Sequence, residues 1–369
     1  MPLKTAERNP AMDVIRCFAC FFVVSVHFFL HNGFYDTTVL GPRMYVMTVM
    51  RSFFMICVPL FMVLTGYLSC KKTISKKYYS KIVYILCIYI LASLCCVFYK
   101  VQFLKQPVTT VNFIRGFFHY LNAPYGWYVE MYIGLFLLCP ILNGAYNSFK
   151  TKKQKQILLA TFLFLTALPY VTNIYMPDLK WFLQPATSAD YHKILPSYWV
   201  SLYPITYYFI GCYLREYKLN LRCRTIAILS VLVLFFNGTF NYYRSYNSVF
   251  IKGSWQEYGS LLNVAQTVLF FAFFANCNYA KFPAKLSRLL SRISELSFGV
   301  YLLSWIFDSA FYKILNRAVT EMPLRLNYFP VIVPAVFVCS LMLSLAVNKF
   351  YQLLAFLISK LKRKQKIPT

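Results

Sequence analysis

Acidic residues are scarce in this chain. Among 369 residues only 11 are Asp or Glu, against 38 Lys and Arg, and charged residues together make up 13 %. A water-soluble domain carries roughly 25 % charged residues, so this chain has too little polar surface to cover itself in water. Disorder is excluded as well, because 59 % of the residues are hydrophobic and disordered segments are poor in them. The class that remains is an integral membrane protein with several spans.

Short motifs of the common hydrolases, metalloproteases and nucleotide-binding enzymes are also missing: GxSxG, HExxH, the Walker loop and GxGxxG do not occur. The 12 cysteines lie mostly inside apolar runs, and no His accompanies them at the spacing of zinc ligands. We interpret them as free thiols that pack as small hydrophobic side chains, and we predict no metal site.

Ten stretches of the sequence are long and apolar enough for membrane-spanning helices, which need about 20 residues each. They cover residues 11–32, 47–69, 79–99, 126–146, 156–176, 197–215, 225–243, 259–278, 296–314 and 329–350. The sequence has no internal repeat, so we predict one integral-membrane domain over 1–369, with a core at 11–350 and a short basic tail at 351–369. The predicted fold class is all-α, a polytopic membrane protein with about ten transmembrane helices.

Lys and Arg residues are concentrated in every second connection between these stretches, beginning with the N-terminus. Cytoplasmic loops carry such an excess, so we predict that both termini are cytoplasmic. A nucleic-acid partner would require the basic residues to form one compact hydrophilic face, whereas here they are divided among short loops. We therefore interpret the net charge of +27 mainly as an orientation signal in the lipid bilayer, with no nucleic-acid partner.

The first span carries four ionisable side chains, Asp13, Arg16, His27 and His31. A charged side chain at bilayer depth costs at least ~2.5–3.5 kcal/mol, so each of these is a functional candidate. At about 100° per residue the four lie on one narrow stripe, with Arg16 and His27 roughly 16 Å apart along the helix axis. An elongated molecule would contact both. The alternative is structural: Asp13 and Arg16 pair at the interface, and His27 bonds a neighbouring helix.

Four further charges fall in or beside the spans. We expect Glu295 to be a helix N-terminal charge favoured by the helix dipole. Glu130 and Asp308 either pair with His27 or contact an acceptor hydroxyl. Arg51 needs a partner or an anion. For each of these charges, structural pairing between helices explains its presence as well as a functional role does. His27 can act as a general base at neutral pH, and a base without a protein nucleophile suits direct transfer of an activated group to a hydroxyl.

Several segments resemble, in order, the motifs of the acyltransferase-3 family of integral-membrane acyltransferases. Asp13 and Arg16, with ten residues between Arg16 and His27, are similar to the family's opening Asp-x-x-Arg and His signature. The other similar segments are residues 58–68, 126–140, 207–214 and 294–303. The first of these has Thr65 where the family usually has Ser.

The resemblance implies a reaction: transfer of an acyl group, most often acetyl from acetyl-CoA, to a hydroxyl of a cell-envelope glycan or a related acceptor. By the same resemblance His27 is the catalytic base, Arg16 contacts the donor, and Asp13 orients Arg16 or His27. Acetyl-CoA is then a co-substrate, and no cofactor is permanently bound. The implied location is the plasma (inner) membrane of a bacterium.

Two features depart from the family pattern. Relatives carry an Arg-rich cluster after the second span, and here it is replaced by lysines, of which Lys76, Lys77 and Lys81 are our candidates for donor binding. Lysine attracts phosphate as a point charge but lacks the bidentate fork of arginine. Alternatively, the cluster only anchors the protein to anionic lipid. The late motif often ends in His where this chain has Ser304, to which we assign no catalytic role.

Candidate contacts for the acceptor are expected towards the outer side of the membrane, opposite to the cytoplasmic donor. These candidates are Trp127, Tyr128, Glu130 and Asp308. Aromatic belts are normal at such an interface, which is the competing explanation for the first two. The predicted outward loops 105–122, 176–197 and 244–258 are rich in aromatic residues and are further candidate surfaces.

Two other functions compete with acyl transfer. In a transporter or a carrier of a lipid-linked sugar or small solute, the intramembrane charges would line the substrate path. The lack of an inverted repeat and the motif resemblance disfavour it. In a purely structural membrane protein, the same charges would only pair helices.

Overall fold

The computed structural model describes residues 9–174, 181, 183 and 192–364. The first helices are α1 (Pro10–His31), α2 (Gly41–Phe54), α3 (Cys57–Ser69), α4 (Lys76–Tyr79), α5 (Ile82–Gln102), α6 (Thr110–Phe118) and α7 (Trp127–Ser148). They are followed by α8 (Lys152–Thr166), α9 (Pro169–Thr172), α10 (Tyr203–Glu216), α11 (Cys223–Ser245), α12 (Leu261–Asn276), α13 (Ala284–Ala318) and α14 (Phe329–Lys364). Short 3₁₀ turns occur at Phe34–Asp36, Val200–Leu202, Ser254–Gln256 and Met322–Tyr328. The described residues form no β-strand, only two isolated bridges between loops.

The polytopic all-α architecture predicted from the sequence is confirmed. Within the described part of the chain, nine helical segments are long and apolar enough to cross a bilayer. The one expected window without such a segment, 197–215, contains the 14-residue helix α10. At about 1.5 Å per residue α10 is roughly 21 Å long, which is shorter than a hydrocarbon core of about 30 Å. The cytoplasmic location of both termini stays a prediction.

The short helix α10 is held in the bundle by a close crossing with α3. A Cβ atom added to Gly66 on α3 would overlap the carbonyl oxygen of Tyr208, and one added to Gly211 on α10 would overlap that of Val63. Only glycine lets two backbones approach in this way, as is common between helices in membranes. Both glycines belong to segments that carried the family resemblance.

Helix α1 lies at the centre of the bundle, where it packs against α2, α3, α12, α13 and α14. It begins at a capped N-terminus, because the side chain of Asn9 accepts a hydrogen bond from the backbone of Ala11 and Pro10 occupies the first turn. Because five helices pack against α1, neighbouring helices rather than lipid enclose its ionisable stripe.

Two long helices extend beyond their predicted spans. Helix α13 begins at Ala284, so Glu295 lies well inside it and the predicted N-terminal charge is wrong: the helix continues outside the apolar window. Helix α14 runs on to Lys364, so residues 351–364 of the predicted basic tail continue the last span as one helix.

Candidate active site

His27 on α1 forms a hydrogen bond with Asp308 on α13. Their Nδ1 and Oδ2 atoms are 3.1 Å apart, and the two residues are 8 % and 0 % exposed. An ionised carboxylate only accepts hydrogen bonds, so Nδ1 of the neutral imidazole carries the proton. The other ring nitrogen, Nε2, is then the basic one. This is the arrangement in which a buried carboxylate orients a catalytic histidine.

Tyr125 completes this contact. Its hydroxyl donates to Oδ2 of Asp308 at 2.7 Å and accepts from Nε2 of His31, which lies 2.6 Å away. Its ring centroid is 3.9 Å from that of His27, and its backbone carbonyl accepts a hydrogen bond from the Tyr301 hydroxyl. The position of the His27 ring is therefore fixed from two sides.

A cavity of about 190 Å³ lies beside His27, towards the C-terminal end of α1. Most of its wall is aromatic or aliphatic. Its polar side chains come from α1, α2, α13, the 3₁₀ turn Phe34–Asp36 and the loops before α7 and α12. The lining residues include His27, Tyr35, Arg51, Tyr125, Trp127, Tyr258 and Tyr301. Such a cavity combines an apolar wall with a few converging polar groups, as ligand sites generally do.

A second cavity, of about 340 Å³, lies beside Arg16 towards the N-terminal end of α1. Arg16 is partly buried, and its Nη1 donates to the hydroxyl of Ser294 at 3.1 Å. Its lining residues include Arg16, Thr65, Lys81, Tyr128, Tyr132, Ser294 and Glu295. Arg16 and Lys81 are two of the four cations that the sequence suggested for donor binding.

The two cavities share part of their walls. Val23, Val58 and Tyr301 line both of them. Arg16 and His27 are 11 residues apart on one helix, or roughly 16 Å, and each opens into a different cavity. Two residues of the ionisable stripe of α1 therefore line adjacent cavities that have three wall residues in common.

The remaining predicted donor residues do not all reach the larger cavity. All three lysines are exposed. Lys81 lines the cavity, whereas Lys76 and Lys77, in the short helix α4, lie outside its lining. Asp13 is buried, but it is 14 residues before His27 and therefore about 21 Å away along α1. The predicted alternative in which Asp13 orients His27 is accordingly wrong, and Asp308 makes that contact.

The predicted acceptor residues are divided between several environments. Trp127 lines the smaller cavity. Asp308 forms the hydrogen bond with His27, which lines the same cavity. Tyr128 lines the larger cavity instead, because successive residues at the start of α7 point to different sides. Glu130 is exposed and lies outside the lining of both cavities. Most of the predicted outward loop 176–197 lies outside the described residues.

The sequence did not reveal the contacts of Tyr125 and Tyr301 or the hydrogen bond between His31 and Tyr125. Tyr125 directly precedes the Gly-Trp-Tyr segment and Tyr301 lies in the late motif, so both were visible only as parts of motifs. Ser304, where the resemblance led us to expect a histidine, is buried, and its hydroxyl donates to the carbonyl of Tyr301 at 3.0 Å. This hydrogen bond lies within α13, and the described residues show no hydrogen bond between Ser304 and His27.

A helical bundle that buries a histidine–carboxylate pair beside a cavity has the features of a multi-pass membrane enzyme. The family model described as an acyltransferase domain, Acyl_transf_3, matches residues 9–347. The chain therefore belongs to the acyltransferase-3 family and is a membrane acyltransferase. No curated protein and no solved structure matches it significantly.

Proposed function

We propose that the protein transfers an acetyl group from cytoplasmic acetyl-CoA to a hydroxyl of a cell-envelope glycan or a related acceptor. The bacterial plasma membrane is the proposed location. The observation that carries this proposal is the pair of cavities with a shared wall, one beside Arg16 and the other beside His27. An acyl donor and an acceptor that enter from opposite sides would meet at that wall.

The larger cavity suits the donor. Positive charge at Arg16 and Lys81 attracts the phosphates of CoA, and the arginine fork can bind them bidentately. The excess of Lys and Arg in alternate loops predicts that this side is cytoplasmic, where acetyl-CoA is available. The acetyl thioester, at the other end of the elongated donor, would extend along α1 towards Val23, Val58 and Tyr301.

The smaller cavity suits the acceptor. The acceptor oxygen attacks the carbonyl carbon of the thioester while Nε2 of His27 removes the hydroxyl proton. The tetrahedral intermediate then collapses, the carbon–sulfur bond breaks, and the CoA sulfur takes the proton from the imidazolium. The products are an acetyl ester and CoA. Asp308 stabilises the imidazolium that forms, as a buried carboxylate does in hydrolase triads.

The test is a transfer assay with the purified protein in lipid nanodiscs. It compares wild type and His27→Ala with isotopically labelled acetyl-CoA and a cell-envelope fraction as the source of acceptors. The control is His119→Ala, because His119 is exposed in the connection before α7 and lies outside both cavities. We expect labelled product with wild type and the control only.

Two results would overturn the proposal. Equal transfer by His27→Ala and wild type would exclude His27 as the base. In proteoliposomes, flux of a sugar across the membrane without any acetylated product would favour the competing function, a transporter or carrier.

A further inference from the structure

Arg51 is a buried charge that the proposed reaction does not use. It lies on α2, is 5 % exposed, and lines the smaller cavity together with His27. A charged side chain is rarely buried unless it is paired, because removing it from water is costly. Its surroundings therefore decide whether it is structural.

The contacts of Arg51 leave its charge uncompensated. Its Nε donates to the hydroxyl of Tyr35 at 3.1 Å, and its guanidinium carbon lies 4.9 Å from the ring centroid of Phe250. These groups are neutral. In the described ranges 9–174 and 192–364, no carboxylate forms an ion pair with Arg51. Neither Nη atom takes part in a hydrogen bond within those ranges, so the two ends of the guanidinium fork are available to a ligand.

The rest of the smaller cavity does not supply the missing negative charge. Its ionisable lining residues other than Arg51 are histidine, cysteine and tyrosine. Asp308 lies behind His27, and its Oδ2 already accepts from His27 and Tyr125. Lys252, which is exposed, adds a second cation near the same wall, with its Nζ 4.6 Å from the ring centroid of Tyr35.

We propose that the acceptor carries an oxyanion group, a carboxylate or a phosphate, and that Arg51 binds this group within the cavity that contains His27. This inference rests on the proposed function and names its substrate class. The planar arginine fork matches two oxygens of either group. The bound anion would supply the counter-charge that Arg51 lacks, and it would hold a nearby hydroxyl at His27.

The size of the cavity limits how much of the acceptor enters. Pockets that bury a drug-sized ligand measure roughly 300–1,000 Å³, and this cavity measures about 190 Å³. It therefore accommodates one acidic sugar residue or a similar terminal group, while the rest of the acceptor remains outside.

The first test measures binding without any donor, so it is independent of catalysis. Thermal unfolding of the purified protein is followed with glucuronate, glucose 6-phosphate or glucose at equal ionic strength. We expect one or both anionic probes to raise the Tm while glucose does not, because only a ligand that binds the folded state stabilises it. The probe with the larger shift distinguishes a carboxylate from a phosphate.

Three variants assign the effect to Arg51. Arg51→Gln removes the charge and should abolish the Tm shift, and Arg51→Lys keeps the charge without the fork and should reduce it. The matched control is Arg43→Gln at the exposed start of the same helix, which should behave as wild type. The proposal is overturned if no anionic probe shifts the Tm, if glucose shifts it equally, or if the shift survives in Arg51→Gln.

The second test uses transfer kinetics. Loss of a hydrogen-bonded charge predicts a roughly 10- to 100-fold higher acceptor KM for Arg51→Gln, with the donor KM unchanged. Labelled product from the envelope fraction should bind an anion exchanger with its acetyl ester intact, because the ester itself is neutral and the charge belongs to the acceptor. A neutral product, or a lower kcat with an unchanged acceptor KM, would overturn the inference and leave the acetyltransferase standing. Arg51-dependent binding of the anionic probes without any acetyl transfer would overturn the proposed function and leave the anion site standing.

Discussion

Nδ1 of His27 and Oδ2 of Asp308 lie 3.1 Å apart although the two residues are separated by 281 positions in the chain. This contact joins the central helix α1 to α13. It pairs two ionisable groups that would otherwise be costly to bury inside a membrane protein, and it leaves Nε2 of His27 as the basic nitrogen.

Asp308→Asn should preserve the shape of the site and lose most of the activity. An amide can donate to Nδ1 and thereby favour the wrong tautomer of His27, which in hydrolase triads costs about 10⁴-fold in kcat. We expect a fall in the rate of acetyl transfer of at least about 100-fold, measured with labelled acetyl-CoA. Glu321→Gln, at an exposed position, is the control. Full activity of Asp308→Asn would show that the contact is only structural.

Tyr125→Phe should have a smaller effect than Asp308→Asn. It removes the hydroxyl that donates to Asp308 and accepts from His31, and a hydrogen bond to a charged group contributes about 1.5–3 kcal/mol. We expect roughly a 10- to 100-fold lower kcat, with the donor KM little changed. Tyr328→Phe, at an exposed tyrosine, controls for the substitution. A raised donor KM with unchanged kcat would contradict this assignment.

Lys81→Gln should raise the KM for acetyl-CoA, because Lys81 lines the larger cavity. The Lys76→Gln, Lys77→Gln double variant removes two exposed charges of the same cluster and should raise it less. Initial rates are measured at varied acetyl-CoA and at low ionic strength, where salt does not screen the contribution of exposed charges. If the double variant has the larger effect, the donor phosphates bind at the surface turn rather than in the cavity.

Gly66→Ala and Gly211→Ala should each destabilise the protein. The added methyl group would overlap a backbone carbonyl across the α3–α10 crossing, and overpacking costs typically about 1–3 kcal/mol. Gly144→Ala is the matched control, because a Cβ there meets no atom within 4 Å. Thermal unfolding in detergent should show a lower Tm for the first two variants only. An unchanged Tm for both variants would mean that the α3–α10 crossing accommodates the added methyl groups without loss of stability.

The spans and the ionisable stripe were predictable from the sequence because both depend on periodicity within one helix. The turn angle alone placed Arg16 and His27 on one face, and the structure has each opening into its own cavity. The shortness of α10 was not predictable, since hydropathy extends over the 3₁₀ turn before it.

Contacts between helices required the structure. The sequence left both Glu130 and Asp308 as partners for His27, because spacing along one helix does not determine how its neighbours are rotated. Rotation also decides that Tyr128 lines the larger cavity and Trp127 the smaller one. The role of Tyr125 depends on a hydroxyl that reaches from the loop before α7 to α13, and no periodicity carries that information.

Donor and acceptor are proposed to reach His27 through different cavities, and the proposed reaction depends on this separation. Its most direct test uses sealed vesicles of uniform orientation, with labelled acetyl-CoA on the side of Arg16 and the envelope acceptor on the side of Trp127. We expect acetylated acceptor on the Trp127 side with wild type and none with His27→Ala. Product formed only when both substrates share one side, or formed equally by His27→Ala, would contradict it.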